Sequence, residues 1–304
     1  MAAALLACDW GTTNLRAWTL DAEGAVVAHR EFELGVSKLA PGEAARRFQA
    51  EVRPALDAQH LPAILCGMVG STLGWTVAPY ADCPAGLAEL AAGLIAVEAG
   101  AASVRIVPGL RCQGLAGSPD VMRGEETQLL GWAAQRADLS RGRQVVCHPG
   151  THAKWVLIED GRIVRFVTAM TGELFAVLSR HSVLKGEGPS DDPAAFDEGL
   201  AAAGEGDALA ARLFTARARV VGGGRPAEST PSYLSGLLIG AEVAAVPRLL
   251  GLDRDQSVAL LGDAALCAHY ARAFEQRGIR SETFDGEAAA LAGLFALYQL
   301  GARP

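Results

Sequence analysis

The chain has 304 residues, enough for two domains of ordinary size, each with a core of its own. Half of it is hydrophobic and 20% is charged, which describes a folded globular protein and excludes a disordered one. A net charge of -7 argues against nucleic acid as a partner, because a groove that tracks phosphates needs clustered Lys and Arg; an anionic small molecule held by local cations and amides remains compatible.

The first strand is expected over Leu5 to Asp9: the apolar opening lacks a basic leader, is too short to cross a bilayer and runs directly into an aspartate, so no membrane partner is expected. Gly11-Thr12-Thr13 then turns the chain, Leu15 to Leu20 reads as a second strand, Asp21 to Gly24 turns again, and Val26 to Phe32 completes a three-strand meander. A helix over Pro41 to Gln59 leads to a buried strand at Ile64 to Gly67, and Val104 to Val107 supplies another.

The same grammar then returns. Val145 to Cys147 is a strand, Pro149-Gly150-Thr151-His152 a turn, Lys154 to Ile158 a strand, Glu159 to Gly161 a turn and Ile163 to Thr168 a strand. Both copies carry Cys-x-x-Gly-Thr, beginning at Cys8 and at Cys147, so motif, order and length recur together and point to duplicated halves. Lys185 to Gly206 and Gly222 to Pro226, rich in Gly, Pro and acidic residues, are expected as surface loops. A helix over Tyr233 to Leu250, a strand over Val258 to Gly262 and helices over Ala264 to Arg277 and Glu287 to Leu300 complete the pattern.

Alternating strands and helices make each half α/β, with the parallel part of each sheet between helices. The boundary is expected between Ala134 and Arg143, which gives domains 1–136 and 137–304, with the small-residue-rich closing helix 287–300 suited to an interdomain hinge and equally to plain packing. The six cysteines, at 8, 66, 83, 112, 147 and 267, contain no CxxC pair and read as buried thiols of a cytoplasmic protein.

A Gly-Thr hairpin turn gathers backbone N–H groups and hydroxyls at one point, as a phosphate chain requires, and two of them facing across a cleft would grip a triphosphate from both sides. Asp9, ending the first strand, is placed to hold Mg²⁺ directly or through its waters, although an Asp that merely caps a turn is the plainer alternative. Arg16 and Lys154 follow the two turns and offer positive charge to the phosphoryl group. No GxxxxGK[ST], GxGxxG after a strand, or GxSxG elbow occurs. His148 and His152 stand four apart, but Pro149 and Gly150 break any helix that would pair them on zinc.

Asp9-Trp10-Gly11-Thr12-Thr13-Asn14-Leu15-Arg16 resembles the first phosphate motif of the superfamily that joins acetate and sugar kinases, heat-shock 70 proteins and actin, and His148 to Trp155 sits where its second phosphate motif belongs. Four further stretches, Cys66 to Trp75, Met122 to Gln128, Met170 to Phe175 and Ser232 to Gly240, are similar to the 2-dehydro-3-deoxygalactonokinase family, and the resemblance runs essentially from end to end.

The resemblance implies two duplicated ribonuclease H-like lobes in an actin-like ATPase fold, with a cleft between them. It also implies ATP and Mg²⁺ as cofactors and phosphorylation of the 6-hydroxyl of 2-dehydro-3-deoxy-D-galactonate. In related repressor-type sugar kinases the catalytic Asp begins a helix shortly before the second phosphate motif. Glu125, then Glu126, occupies that place here, an ordinary helix first turn being the alternative. Many relatives carry a carboxylate where this chain has His148, so the base comes from elsewhere or His148 serves.

For the sugar acid, Arg123 is the first choice of donor, with Lys38 and the amides of Gly35 and Val36 as further choices, while Met68, Ser71 and Trp75 line the pocket or, for Trp75, pack in the core. Gly262 and Asp263 match the adenosine motif, and Gly236 and Gly240 either admit the adenine base or serve helix contacts. The rivals are a kinase of a different 2-keto-3-deoxy sugar acid, a chaperone-like ATPase and a silent sugar sensor; oligomeric state is not legible.

Overall fold

The computed structural model describes residues 2–100, 102–135, 138, 141–186, 191–204, 208–251 and 256–301. In chain order the elements are β1 (Leu5–Trp10), β2 (Leu15–Leu20), β3 (Val26–Phe32), α1 (Glu43–Arg47), β4 (Ala63–Gly67), β5 (Tyr80–Asp82), α2 (Leu87–Ala92), β6 (Ile95–Val97), β7 (Val104–Ile106), β8 (Gly109–Gln113), β9 (Pro119–Met122) and α3 (Glu125–Ala134). They continue with β10 (Arg143–His148), β11 (Ala153–Glu159), β12 (Arg162–Ala169), α4 (Thr171–His181), α5 (Pro193–Ala202), α6 (Leu209–Leu213), α7 (Thr215–Val221), α8 (Thr230–Leu249), β13 (Val258–Gly262), α9 (Ala264–Gln276), β14 (Ser281–Asp285) and α10 (Gly286–Gly301).

Two compact units result. The first comprises Met1–Arg143, Ile158–Arg165 and Gly286–Pro304; the second comprises Gln144–Leu157 and Phe166–Asp285. The first sheet runs β3-β2-β1-β4-β7-β6, with β1, β4 and β7 parallel and the meander antiparallel. Another sheet runs β12-β11-β10-β13-β14, with β10, β13 and β14 parallel. A meander followed by two parallel strands is thus built twice in the same order, and the duplication read from Cys-x-x-Gly-Thr extends to topology. A small sheet, β5-β8-β9, completes the first unit.

The first core gathers Trp10, Leu15, Phe48, Leu65 and Ile106, and Trp10 stacks on Phe48 with centroids 6.2 Å apart. The second gathers Trp155, Phe196, Ile239, Tyr270 and Phe274. Burying each large apolar side chain of this kind contributes about 1.5–3 kcal/mol, so these clusters carry much of the stability of each unit.

Two expected elements differ. The helix over Pro41 to Gln59 is broken: α1 ends at Arg47, a wider turn covers Phe48–Val52, and one tight turn, Pro54–Leu56, stops at Asp57 with φ 51°. Pro54 has no N–H to continue the ladder. The fully buried Arg53 donates to the carbonyls of Ala58 and Leu61, at 2.6 and 2.7 Å, and fixes the chain reversal while its guanidinium lies 5.0 Å from the Phe48 ring. The loop expected over Lys185 to Gly206 contains α5, which begins at Pro193 under an Asp192 cap whose carboxylate accepts from the Ala195 N–H at 3.0 Å. Part of that span, and part of the expected boundary between Ala134 and Arg143, lies outside the described residues.

Each unit contains one helix crossing closed by reciprocal glycines. In the first, a Cβ on Gly131 of α3 would overlap the Ala289 carbonyl of α10, and one on Gly293 would overlap the Thr127 carbonyl of α3. In the second, Gly199 of α5 and Gly236 of α8 stand in the same relation, against the carbonyls of Tyr233 and Phe196. Gly240 likewise faces Leu200 of α5 and Ala203 just past its end, so both glycines of α8 serve a helix contact. Gly293→Val should lower stability by at least about 2 kcal/mol in chemical denaturation, because backbone meets backbone and neither can yield, whereas Ala288→Val on the exposed side of α10 should stay within about 0.5 kcal/mol.

Candidate active site

In the first unit the β1–β2 turn is fixed from behind. The Trp10 indole donates to the Leu34 carbonyl at 2.6 Å, and the N–H groups of Gly35, Val36 and Ser37 donate to the carbonyls of Thr13, Gly11 and Thr12 at 3.0 to 3.1 Å. Gly35 is required there, since a Cβ would overlap the Thr12 and Thr13 backbone. The carbonyls of the turn are therefore consumed internally, while Thr12 and Thr13 are exposed. The Gly35 and Val36 amides, expected as donors for the sugar acid, are the ones consumed. Lys38, two residues on, is exposed.

Beside this turn three chain ends converge. Asp9 stands opposite Cys66 across the β1–β4 ladder and opposite Arg16 across β1–β2, and Arg16 pairs with Glu31 at 3.0 Å. Gly67, with φ 90°, would place a Cβ 3.1 Å from the Asp9 carboxylate and 2.8 Å from the Trp10 carbonyl; Gly124, with φ 111°, would place one 3.2 Å from Gly67. The two glycines let the start of α3 close onto the end of β1.

This brings Glu125 to Asp9. Burial, opposed by Arg16 and reinforced by Glu125, pushes the Asp9 pKa up to about 6, while the Cys66 thiol donates to it and pulls the other way. The Glu125 carboxylate accepts from the Arg123 N–H at 3.0 Å and is half-buried. Glu126 differs: it is fully buried, both its oxygens face the Gly124 N–H at 2.7 and 2.9 Å, and burial together with Glu125 pushes its pKa up to about 8.

The Arg123 guanidinium lies 4.4 Å from the Tyr80 ring and donates to the Ala78 carbonyl at 2.7 Å, while its Nε and Nη1 are buried without a protein partner. Ser71 donates its hydroxyl to the Met68 carbonyl at 2.7 Å, and Trp75 packs on Phe48 at 5.6 Å, so Met68 and Trp75 border the core as well as the loop.

In the second unit the β10–β11 turn is backed in the same manner. Gly172, at the start of α4, would place a Cβ 2.5 Å from the Gly150 carbonyl, the Glu173 N–H donates to the Thr151 carbonyl at 2.9 Å, and His152 pairs with Glu173 at 2.5 Å. Gly262 ends β13 beside the Pro149 carbonyl, and Asp263 caps α9 by accepting from the Leu266 N–H at 2.9 Å. Lys154, expected at the phosphates, is 4% exposed and donates to the Thr168 hydroxyl at 3.0 Å.

A cavity of about 430 Å³ opens from Gly150 and Thr151 between α4, α5, α8 and α9. Phe175, Phe196, Ile239, Leu266 and Tyr270 wall it, and His269 lies against Phe196 with centroids 4.8 Å apart. Its size and apolar walls suit a planar heterocycle with its sugar, next to a turn suited to phosphate. Of its lining, the Gly150–Thr151 turn, the stretch Met170 to Phe175 and the stretch Ser232 to Gly240 were singled out in the sequence; α5, which carries Phe196, lies in the stretch expected as loop, and α9, which carries Leu266, His269 and Tyr270, was read only as a helix. Among the described residues no group of three or more His, Cys, Asp or Glu side chains is arranged to hold a metal ion, and no helix is long and apolar enough to cross a membrane.

The duplicated sheets and their glycine turns define an actin-like ATPase fold. A solved dehydratase activator from Clostridium difficile, with bound ADPNP, shares this fold at a TM-score of 0.50 and 12% identity, over 98% of this chain and 96% of that one. The chain belongs to the 2-keto-3-deoxy-galactonokinase family, whose model matches residues 9–297.

It is 37% identical to the 2-dehydro-3-deoxygalactonokinase of Escherichia coli strain K12, over 97% of both chains, and 39% identical to a probable 2-dehydro-3-deoxygalactonokinase of Rhizobium meliloti strain 1021, over 95% of both. The crystal structure of a candidate 2-dehydro-3-deoxygalactonokinase from Sinorhizobium meliloti superposes with a TM-score of 0.85 at 38% identity, covering 99% of this chain and 97% of that one. The resemblance read from the motifs is borne out.

The two perturbed carboxyls have a consequence for folding. Glu126, with a pKa raised from 4.5 to about 8, binds a proton in the folded state that the unfolded chain releases between those values. Its stabilising contribution is therefore complete below pH 4.5 and lost as pH rises through 8. Glu126→Gln keeps the shape and removes the titration, so its melting temperature should fall less than that of the parent between pH 5 and 9, by differential scanning calorimetry; parallel curves would reject the buried neutral carboxyl.

Proposed function

We propose that the chain transfers the γ-phosphoryl group of ATP to the 6-hydroxyl of 2-dehydro-3-deoxy-D-galactonate, giving ADP and 2-dehydro-3-deoxy-6-phospho-D-galactonate in galactonate catabolism. The observation that carries this reading is end-to-end identity of 37% and 39% to curated proteins of that name, with Asp9, both glycine turns and Glu125 in place.

The nucleoside occupies the cavity of the second unit, beside Gly262 and Asp263, with Gly150 and Thr151 meeting its phosphates. Gly11, Thr12, Thr13 and Arg16 provide donors in the first unit. Glu125 is the base: it adjoins Asp9 and keeps access to solvent, whereas Glu126 is sealed beneath Gly124. As the hydroxyl oxygen bonds to the γ-phosphorus, the bond to the bridging oxygen breaks, ADP leaves with that electron pair, and the hydroxyl proton passes to Glu125.

Asp9 would hold Mg²⁺ together with phosphate oxygens, a fit supported by the like-charge pressure of Glu125 on Asp9, which a divalent cation would relieve. The ion supplies charge neutralisation at the phosphates. Lys154, from its buried place on β11, adds positive potential behind the second turn. The unpartnered Nε and Nη1 of Arg123 support a role in receiving the sugar acid's carboxylate, with Lys38 at the rim and Met68, Ser71 and Trp75 on the loop that borders it. A cytoplasmic location suits an ATP-consuming catabolic step.

A coupled ADP-release assay with Mg-ATP tests this. The galactonate compound should be turned over in preference to its gluconate epimer, and Glu125→Gln and Asp9→Asn should each reduce kcat by at least about 100-fold. Preference for the epimer would overturn the substrate, and full activity in Glu125→Gln would overturn the base.

A further inference from the structure

Glu242 lies mid-way along α8, is 5% exposed, and has no part in the chemistry set out above. Its Oε1 accepts from the Trp155 indole at 2.6 Å, its Oε2 accepts from the Tyr270 hydroxyl at 2.8 Å, and the Thr171 hydroxyl makes a third hydrogen bond to it. These donors sit on three separate elements: Trp155 on β11, Tyr270 on α9 and Thr171 at the first position of α4.

Burial of a carboxylate is costly, and a leucine would serve simple packing between α8, β11 and α9 at least as well. A carboxylate at this place therefore calls for a reason, and its partners supply one. Tyr270 and Thr171 line the 430 Å³ cavity. Thr171 precedes Gly172, the residue pressed against Gly150, and Glu173, whose N–H holds the Thr151 carbonyl. Trp155 follows Lys154 on the strand that leaves the same turn. The carboxylate is thus bonded to a wall of the cavity, to the helix start that backs the glycine turn, and to the strand that issues from that turn. Burial raises its pKa, and the three hydrogen bonds draw it back toward the ordinary range.

We propose that Glu242 is a positioning residue for nucleotide binding, fixing Tyr270 and Thr171 as walls of the cavity and, through α4, the seat of the Gly150–Thr151 turn. It touches neither nucleotide nor sugar acid. The inference rests on the nucleotide reading of the cavity and assigns that site its buried anchor.

The test is titration calorimetry with ADP on the full chain, alongside steady-state kinetics, for the parent, Glu242→Gln and Tyr270→Phe. Tyr270→Phe retains the ring and loses only the hydroxyl that Glu242 accepts, so it decides the matter if Glu242→Gln does not fold. Each variant should weaken ADP binding roughly tenfold and raise the KM for ATP in step, with the KM for the sugar acid changed less than about twofold.

Unchanged ADP affinity with a lowered melting temperature would overturn the proposal, and so would equal losses of nucleotide and sugar-acid binding, which mark a general structural effect. If the parent itself binds no ADP, the nucleotide reading falls and Glu242's role with it; parent binding with unaltered variants removes Glu242 alone.

Discussion

Both glycine turns depend on one steric constraint: a second glycine, arriving after the third strand of each meander, presses against the carbonyl side of the turn. Gly35 does this to Thr12 and Thr13, and Gly172 does it to Gly150 and Thr151. Backbone donors from the arriving segment then take up carbonyl oxygens of the turn, those of Gly11, Thr12 and Thr13 in the first and that of Thr151 in the second. Carbonyl oxygens repel phosphate and N–H groups attract it, so a turn stripped of free acceptors on its inner side is biased toward anions on the outer. The duplication therefore preserves more than a hairpin; it preserves the hairpin together with its backing.

From that common plan the two units diverge in chemistry. The first collects charge. Burial raises the pKa values of Asp9 and Glu126, and Glu125, within electrostatic reach of each, raises both further. Gly67 and Gly124 bring the strand ends together, and the crossing of α3 with α10 through Gly131 and Gly293 holds the helix that starts at Glu125. The second unit collects apolar surface. Its helices enclose a cavity beside the turn, and Glu242, buried behind two of that cavity's lining residues, is satisfied by three donors.

Much of this was legible in the sequence, and the reasons are local. Strand alternation and Gly-Thr turns are short-range signals, so both meanders, Asp9 and the duplicated order could be read residue by residue. The helix pair at Glu125 was also visible, but not the difference between its members: Glu126 is buried by contacts with Gly124 and Thr127, a matter of which way the first turn of α3 faces. Composition misled over Lys185 to Gly206, where Asp192-Pro193 was a cap and first-turn signal hidden in a stretch rich in loop-forming residues. Pro54 was the overlooked stop in the helix expected over Pro41 to Gln59. The cavity itself was not legible: Phe175 and Ile239 lie in stretches the motifs had marked, but their meeting with Phe196 and Tyr270 is made by tertiary packing of four helices.

The central claim is a division of labour, with nucleotide bound by the second unit and sugar acid by the first. Amide hydrogen exchange, followed by mass spectrometry with ADP and with 2-dehydro-3-deoxy-D-galactonate added separately, tests it most directly. ADP should protect the segments around 150–152, 171–175 and 266–272, and the sugar acid should protect those around 67–75 and 123–126. Protection of the same segments by both ligands, or of the first unit by ADP alone, would contradict the account.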